Sequence, residues 1–310
     1  MFKREIYSFS LTILGIFLIG SLPYLLFNYD RLLKILVLID QQKIDNANFL
    51  YDNFTLNFSS YLHHIVHTLT NMTNLGNLEY YEKGAYLPLF PEFLHLYLKS
   101  FLFLVSALAL GILAGILIVY LTMLLGGRSK KGIKSILLVV ESLPDIFVIL
   151  LFQLLIMWFF KHTNLRLLNI YSSYGDPAYA LPIICLSVLP AVYITKYLLL
   201  TFEDEEKKDY VVFARSKGIS FSAIIISHIF KNSIITFFNH FKSIFWFALS
   251  NLLMLEFIFN LRGFTTFVQS IAIRNPDIIT YSLLMVFIPF YFFFLTGQIL
   301  IKKNNESLGG

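Results

Sequence analysis

Charged residues are scarce in this sequence. They make up 14% of its 310 residues, where an ordinary soluble domain carries about 25%. With 57% apolar or aromatic residues and a mean hydropathy of +0.71, the chain has too little polar surface for a water-compatible exterior, and it belongs in a lipid bilayer. Cysteine is almost missing: Cys185 alone builds neither a disulfide framework nor a thiolate zinc cluster. No internal repeat and no low-complexity linker is present. No Gly-x-x-x-x-Gly-Lys-[Ser/Thr] occurs, and Gly126-Gly127-Arg128-Ser129-Lys130 is only a short basic turn, so nucleotide hydrolysis has no place on this chain. Neither His-Glu-x-x-His nor Gly-x-Ser-x-Gly is found, which argues against an intramembrane enzyme. What is abundant is aromatic: 33 Phe and 18 Tyr exclude a disordered or collagen-like chain. The net charge of +5 does not point to nucleic acid, because the basic residues cluster beside apolar runs, as orientation in a membrane with an anionic inner leaflet requires.

A helix needs about 20 mostly apolar residues to cross about 30 Å of hydrocarbon. Residues 6–29, 100–127 and 278–301 contain no Asp, Glu, Lys or Arg. Three further runs are interrupted or short. Residues 135–160 carry Glu141 and Asp145, 177–195 end at Lys196, and 233–259 hold His240, Lys242 and Glu256. The expectation is an all-α integral membrane protein of about six spans. Lys and Arg resist translocation, so Lys3 and Arg4 place the N-terminus in the cytoplasm. Six crossings then put Arg128, Lys130, Lys131, Lys134, the 207–231 segment and the tail from Lys302 and Lys303 on the same side. Residues 1–29 read as a retained anchor, since the run is longer than the core of about 7–15 residues of a cleaved signal peptide. Residues 30–99 form an extracytoplasmic insertion, 100–302 a core of five spans with a cytoplasmic loop at 201–233, and 303–310 a cytoplasmic tail.

The insertion reads as a small cap of short helices closed by the breaker Pro88-Leu-Phe-Pro91. His63 and His67 are an i, i+4 pair, and His64 lies between them. With no carboxylate or cysteine nearby in sequence to complete a metal site, these read as surface histidines and no metal is expected.

The loop reads as helix, turn, helix. Glu203, Asp204, Glu205 and Glu206 supply acid for a first turn, Gly218 a left-handed stop and Ser220 an N-cap for the helix that follows. Tyr210, Val211, Phe213, Ala214 and Ile219 put apolar groups into an otherwise polar connector, which implies a docking surface for another protein.

The run Asp209-Tyr210-Val211-Val212-Phe213-Ala214-Arg215-Ser216-Lys217-Gly218-Ile219-Ser220, followed by His228 and by Lys231-Asn232-Ser233, resembles the signature cytoplasmic loop of ABC-importer permeases. Its nearest version is that of B-type subunits of dipeptide, oligopeptide and nickel permeases, with Ser216 where that pattern has Ala. The resemblance covers about residues 75–301. Leu143-Pro144, Leu181-Pro182, Leu189-Pro190 and Glu256-Phe-Ile-Phe259 with Gly263 are similar to the family's other markers, while Arg262 and Thr265 stand where it has Pro and a second Gly. It implies a type I importer permease fold in the bacterial cytoplasmic membrane, carrying peptides or a similar small solute. The implied partners are a second homologous permease, two cytosolic ATPases that hold ATP and Mg, and an extracytoplasmic binding protein. No cofactor is then expected on this chain, whose residues 209–220 would couple to the ATPase.

Charges at membrane depth cost about 2.5–3.5 kcal/mol or more, so they face a cavity, a partner or headgroups. Glu141 and Asp145, four apart around Pro144 and on one face of a helix, either line the path or are neutralised by the basic residues 128–134. Lys242 lies about 15 Å along a helix that starts at Asn232, at a pathway or subunit interface, or at snorkelling depth if the helix starts earlier. Glu256 is the remaining pathway candidate. Pro182 and Pro190 bend the helix that contains them, and Cys185 packs as a small core- or lipid-facing residue. An ion-gradient-driven secondary transporter is the alternative. That class often shows inverted repeats and discontinuous helices with intramembrane ion ligands, whereas this chain has no obvious repeat and carries a docking-type cytosolic loop.

Overall fold

A computed structural model describes residues 2–41, 43, 54–82, 85–125, 127–173 and 175–308. The side chains of Lys3, Arg4, Lys302 and Lys303, on which part of the orientation reading rests, lie outside the described residues, as does most of 42–53. The chain divides into two compact units, Leu98–Gly263 and Met1–Tyr97 with Phe264–Gly310.

Among the described residues five helices are long and apolar enough to cross a membrane. The run at 6–29, expected as a span, is instead broken. Helix α1 (Phe2–Gly20) stops at Ser21, a short α2 (Leu22–Leu26) carries Pro23 in its first turn, Phe27 is extended, and Asn28 caps α3 (Tyr29–Asp40) by accepting from the Arg31 amide. Proline lacks the amide that would continue α1, so the described apolar part of this helix, Glu5–Gly20, falls short of a full span.

In the same unit follow α4 (Phe58–Asn71), a 3₁₀ turn (Met72–Asn77) and an antiparallel hairpin, β1 (Glu79–Glu82) with β2 (Ala85–Pro88). The expected cap of short helices thus also holds a hairpin, whose alternating Tyr80 and Leu87 pair across the strands. Tyr80 and Leu89 pack with Phe93, Phe264, Ile271 and Ile278 in one core. The breaker holds: Pro91 directly precedes α5 (Glu92–Leu124). After the eight-residue α12 (Phe264–Ile271), α13 (Asp277–Leu308) runs beside α1. There Phe9 stacks against Phe287 and Tyr291, and Gly20 leaves room for Thr280.

The other unit is built around α8 (Ala180–Glu206), whose Leu181, Ile194, Leu198, Leu199 and Phe202 are fully buried. Gly111 and Gly115 of α5 face it four residues apart. A Cβ on Gly115 would stand 2.7 Å from Ile194 and 3.2 Å from the Ala191 carbonyl, so the two backbones approach only because both positions lack side chains. Cys185 and Pro190 are buried in the same helix. Residues 135–160, expected as one span, are two helices: α6 (Gly127–Glu141) ends before Pro144, which leads α7 (Asp145–Thr163) with an extended backbone. A helix interior excludes proline's ring and missing donor, so the chain breaks there.

Candidate functional site

The segment between α8 and the next long helix is a short helix, α9 (Asp209–Ser216), closed by Lys217 and by Gly218 at φ +78°. The Gly218 amide donates to the Arg215 carbonyl at 2.9 Å and the Ile219 amide to Ala214 at 3.3 Å, so the left-handed turn satisfies the last carbonyls of the helix. Ser220 then caps α10 (Phe221–Ile224) by accepting from the Ala223 amide. A π turn (Ile225–Ile229) joins α10 to α11 (Phe230–Phe259), and all three form one continuous helical rod of 39 residues. Both the glycine stop and the serine cap stand where the sequence places them.

The acidic run does not. Glu203, Asp204, Glu205 and Glu206 form the last turn of α8 and do not open α9. Negative charge at a helix C-terminus opposes the backbone dipole, so it persists only with cations beside it. α6 supplies two: Lys134 meets Glu203 at 2.7 Å and Lys130 meets Glu206 at 3.5 Å. Lys130 and Lys134 therefore serve α8, and the partner of Glu141 is Lys196.

Glu205 is buried at the junction. Its carboxylate accepts from the Lys208 ammonium at 2.5 Å and the Tyr210 hydroxyl at 2.6 Å, and also bonds the Asn232 side chain on α11. One carboxylate thereby joins the end of α8, the start of α9 and the start of α11. Burial and the adjacent Glu205 carboxylate push Tyr210 up to about 12, so its hydroxyl stays a donor through the physiological range. The Tyr210 and His228 rings stack at 6.3 Å, Arg215 bridges back to Glu206 at 2.9 Å, and the Tyr120 hydroxyl of α5 meets Ser222 at 2.6 Å.

α9 thus has one fastened face and one open face. Val211 and Ala214 are buried, whereas Val212 and Phe213 are each 61% exposed. Asp209, Ser216 and Lys217 are exposed beside them, with Lys217 lying over the Phe213 ring at 4.3 Å, Arg215 over Phe221 at the same distance, and Ile219 continuing the apolar surface.

The remaining candidates are dispersed. Glu141 and Asp145 do not share a helical face, because the break at Pro144 puts them on α6 and α7. Glu141 binds Lys196 of α8 through both oxygens at 2.8 Å, and Asp145 is bonded by Asn251 of α11. Lys242 is exposed on α11. Counted back from Phe259, it lies about 26 Å along the helix, near the far edge of a core about 30 Å thick. Glu256 is 1% exposed, accepts from the Ser100 hydroxyl, and fills the space that a side chain on Gly263 would take. Beside it Lys99 donates to the Leu261 carbonyl at 2.6 Å, while Asn260 and Arg262 hold positive φ. Glu256 organises the turn after α11, and the turn leaves no room for a side chain at Gly263. His64 corrects the surface reading of the histidines. It is 4% exposed, stacks on Tyr24, and pairs with Asp277 at 2.9 Å, a carboxylate too distant in sequence to be connected with it. His63 and His67 are exposed, and no group of three metal-ligating side chains assembles among the described residues. The contact between Glu205 and Asn232 and the Glu141–Lys196 pair escaped the sequence reading; Lys196 closing its apolar run was the available signal for the last.

Residues 107–306 match the family described as binding-protein-dependent transport system inner membrane component. Similar curated proteins include the glutathione transport system permease protein GsiC of Escherichia coli K12 and that of Shigella flexneri serotype 5b, each 25% identical over 131 residues. The same protein of Pectobacterium atrosepticum is also 25% identical over 131 residues. Each alignment covers 42% of this chain and 43% of the relative, less than half the length of either. The family match extends across the α9 segment, the Glu256 turn and four of the five long helices, and it identifies the chain as a multi-pass protein of the bacterial cytoplasmic membrane and a member of the binding-protein-dependent transport inner membrane component family of ABC-importer permeases.

Proposed function

We propose that this chain forms half of the translocation pathway of an ATP-driven importer for peptides or a similar small solute, and that α9 couples it to a separate ATPase. The observation that carries the proposal is the two-sided character of α9. Its inner face is fastened to α8 and α11 through Glu205, while Val212 and Phe213 stand open. An apolar face on a rigid helix fits a groove in another protein. A helix held this way transmits rotation of its partner to both flanking rods. The second permease completes the pathway, two cytosolic ATPases bind and hydrolyse ATP with Mg, and an extracytoplasmic binding protein delivers the solute. The relatives' naming for glutathione transport favours a peptide-like cargo.

Purification of the tagged full-length chain from its native membrane tests this. A stoichiometric ATPase should accompany it and should be lost in Phe213→Asp, with the thermal stability of the chain unchanged. Equal ATPase recovery from Phe213→Asp, or solute uptake driven by an ion gradient without ATP, would overturn it.

A further inference from the structure

The α4 helix carries no Asp, Glu, Lys or Arg, and its surface divides into three sectors. At about 100° per residue, Tyr61, His64, Ile65 and Thr68 fall in an arc about 100° wide. This arc is fastened to the unit: Tyr61 donates to the Leu18 carbonyl at 3.0 Å, His64 pairs with Asp277 and Ser21, Thr68 donates to Asp277, and Ile65 packs against the cluster of Ile16, Phe17 and Leu284. A second arc of about 80° holds the exposed Ser59, His63, His67 and Thr70. The third, also about 80° wide, holds Phe58, Leu62, Val66 and Leu69, which are 67%, 61%, 60% and 47% exposed.

Depth follows from the fastened arc. Leu284 stands about 10 Å from Asp277 along α13, which is long and apolar enough to span, so it lies inside a hydrocarbon layer about 30 Å thick, in the half that holds the Asp277 end of α13. α4 is therefore held against α1 and α13 at that level.

We propose that α4 is an interfacial helix of the outer leaflet, with Phe58, Leu62, Val66 and Leu69 set against lipid acyl chains and Ser59, His63, His67 and Thr70 turned to the headgroups and water. A helix with an apolar and a polar sector side by side lies in the plane of the interface. The apolar sector has only large side chains, whereas contacts between membrane helices favour small ones, so lipid and not a second permease covers it. The outer-leaflet assignment rests on the cytoplasmic placement of α9 in the proposed function; the lipid contact itself does not depend on what is transported.

The test uses the full-length chain with its bound partners, reconstituted in liposomes. Single cysteines at positions 62, 66, 63 and 67 carry a bimane label, and Cys185, buried in α8, serves as the unlabelled background. Lipids brominated on the acyl chain should quench positions 62 and 66 several-fold more than 63 and 67, and aqueous iodide should reverse the order. Iodide quenching at 62 and 66 equal to that at 63 and 67 would overturn the proposal. Protection of 62 and 66 from both quenchers would overturn it in favour of a protein neighbour. Absence of an ATPase from the preparation would count against the importer reading alone and leave the quenching order intact.

Discussion

Replacing Glu205 with alanine should disconnect the two long helices from the segment between them. The carboxylate accepts from Lys208 and Tyr210 and bonds Asn232. Hydrogen bonds to a charged group contribute about 1.5–3 kcal/mol each. Lys208 is 56% exposed, so its share falls to the few tenths of a surface pair. Tyr210 and Asn232 remain, and since water partly satisfies the donors set free, the net loss is about 3 kcal/mol. That corresponds to about a hundredfold shift from clamped to unclamped α9. Glu205→Gln keeps one acceptor oxygen and should lose about half as much in free energy. The assay is solute moved per ATP hydrolysed in proteoliposomes, with thermal unfolding of the complex measured alongside. Glu205→Ala should hydrolyse ATP with little transport, and Glu205→Gln should lie between it and the parent. Transport per ATP unchanged in Glu205→Ala, in a complex of parental composition, would refute the clamp.

Gly263→Ala drives a methyl into the buried Glu256 carboxylate and should destabilise the chain by about 1–3 kcal/mol, read as a lower unfolding temperature. Gly115→Ala should be more damaging than Gly111→Ala by the same measurement, since the added carbon meets Ile194 at 2.7 Å in the first case and finds its nearest atom at 3.1 Å in the second. Glu141→Lys and Lys196→Glu should each lower the unfolding temperature, and the double exchange should recover most of the loss; the pair is partly exposed, so the coupling is about 1 kcal/mol.

The long apolar runs were legible because hydropathy alone determines them, and the five long helices lie where those runs are. Proline was harder to weigh. Pro23 and Pro144 each split a run that composition reads as continuous, and in the second case the split separated Glu141 from Asp145, whose spacing of four residues has meaning only within one helix. The Gly218 stop and the Ser220 cap were legible because each depends on a local backbone rule. Glu203 to Glu206 were not, because the acid was assigned to the helix it would favour, while Lys130 and Lys134, about 70 positions away, make the opposite end tolerable. His64 shows the same limit: its partner Asp277 comes from the far end of the chain, and only the packing of α4 against α13 brings them together. The family was legible in the α9 motif, whereas the clamp beneath it required three segments to be placed in space.

The central claim is that a separate ATPase grips the open face of α9. A photoreactive amino acid at position 213, illuminated in the intact membrane, tests it most directly. The account predicts one dominant cross-link, to an ATPase subunit, that moves or weakens when ATP is added. A residue 213 that cross-links only to water or lipid, or that reacts with a membrane-impermeant reagent from outside the cell, would contradict it.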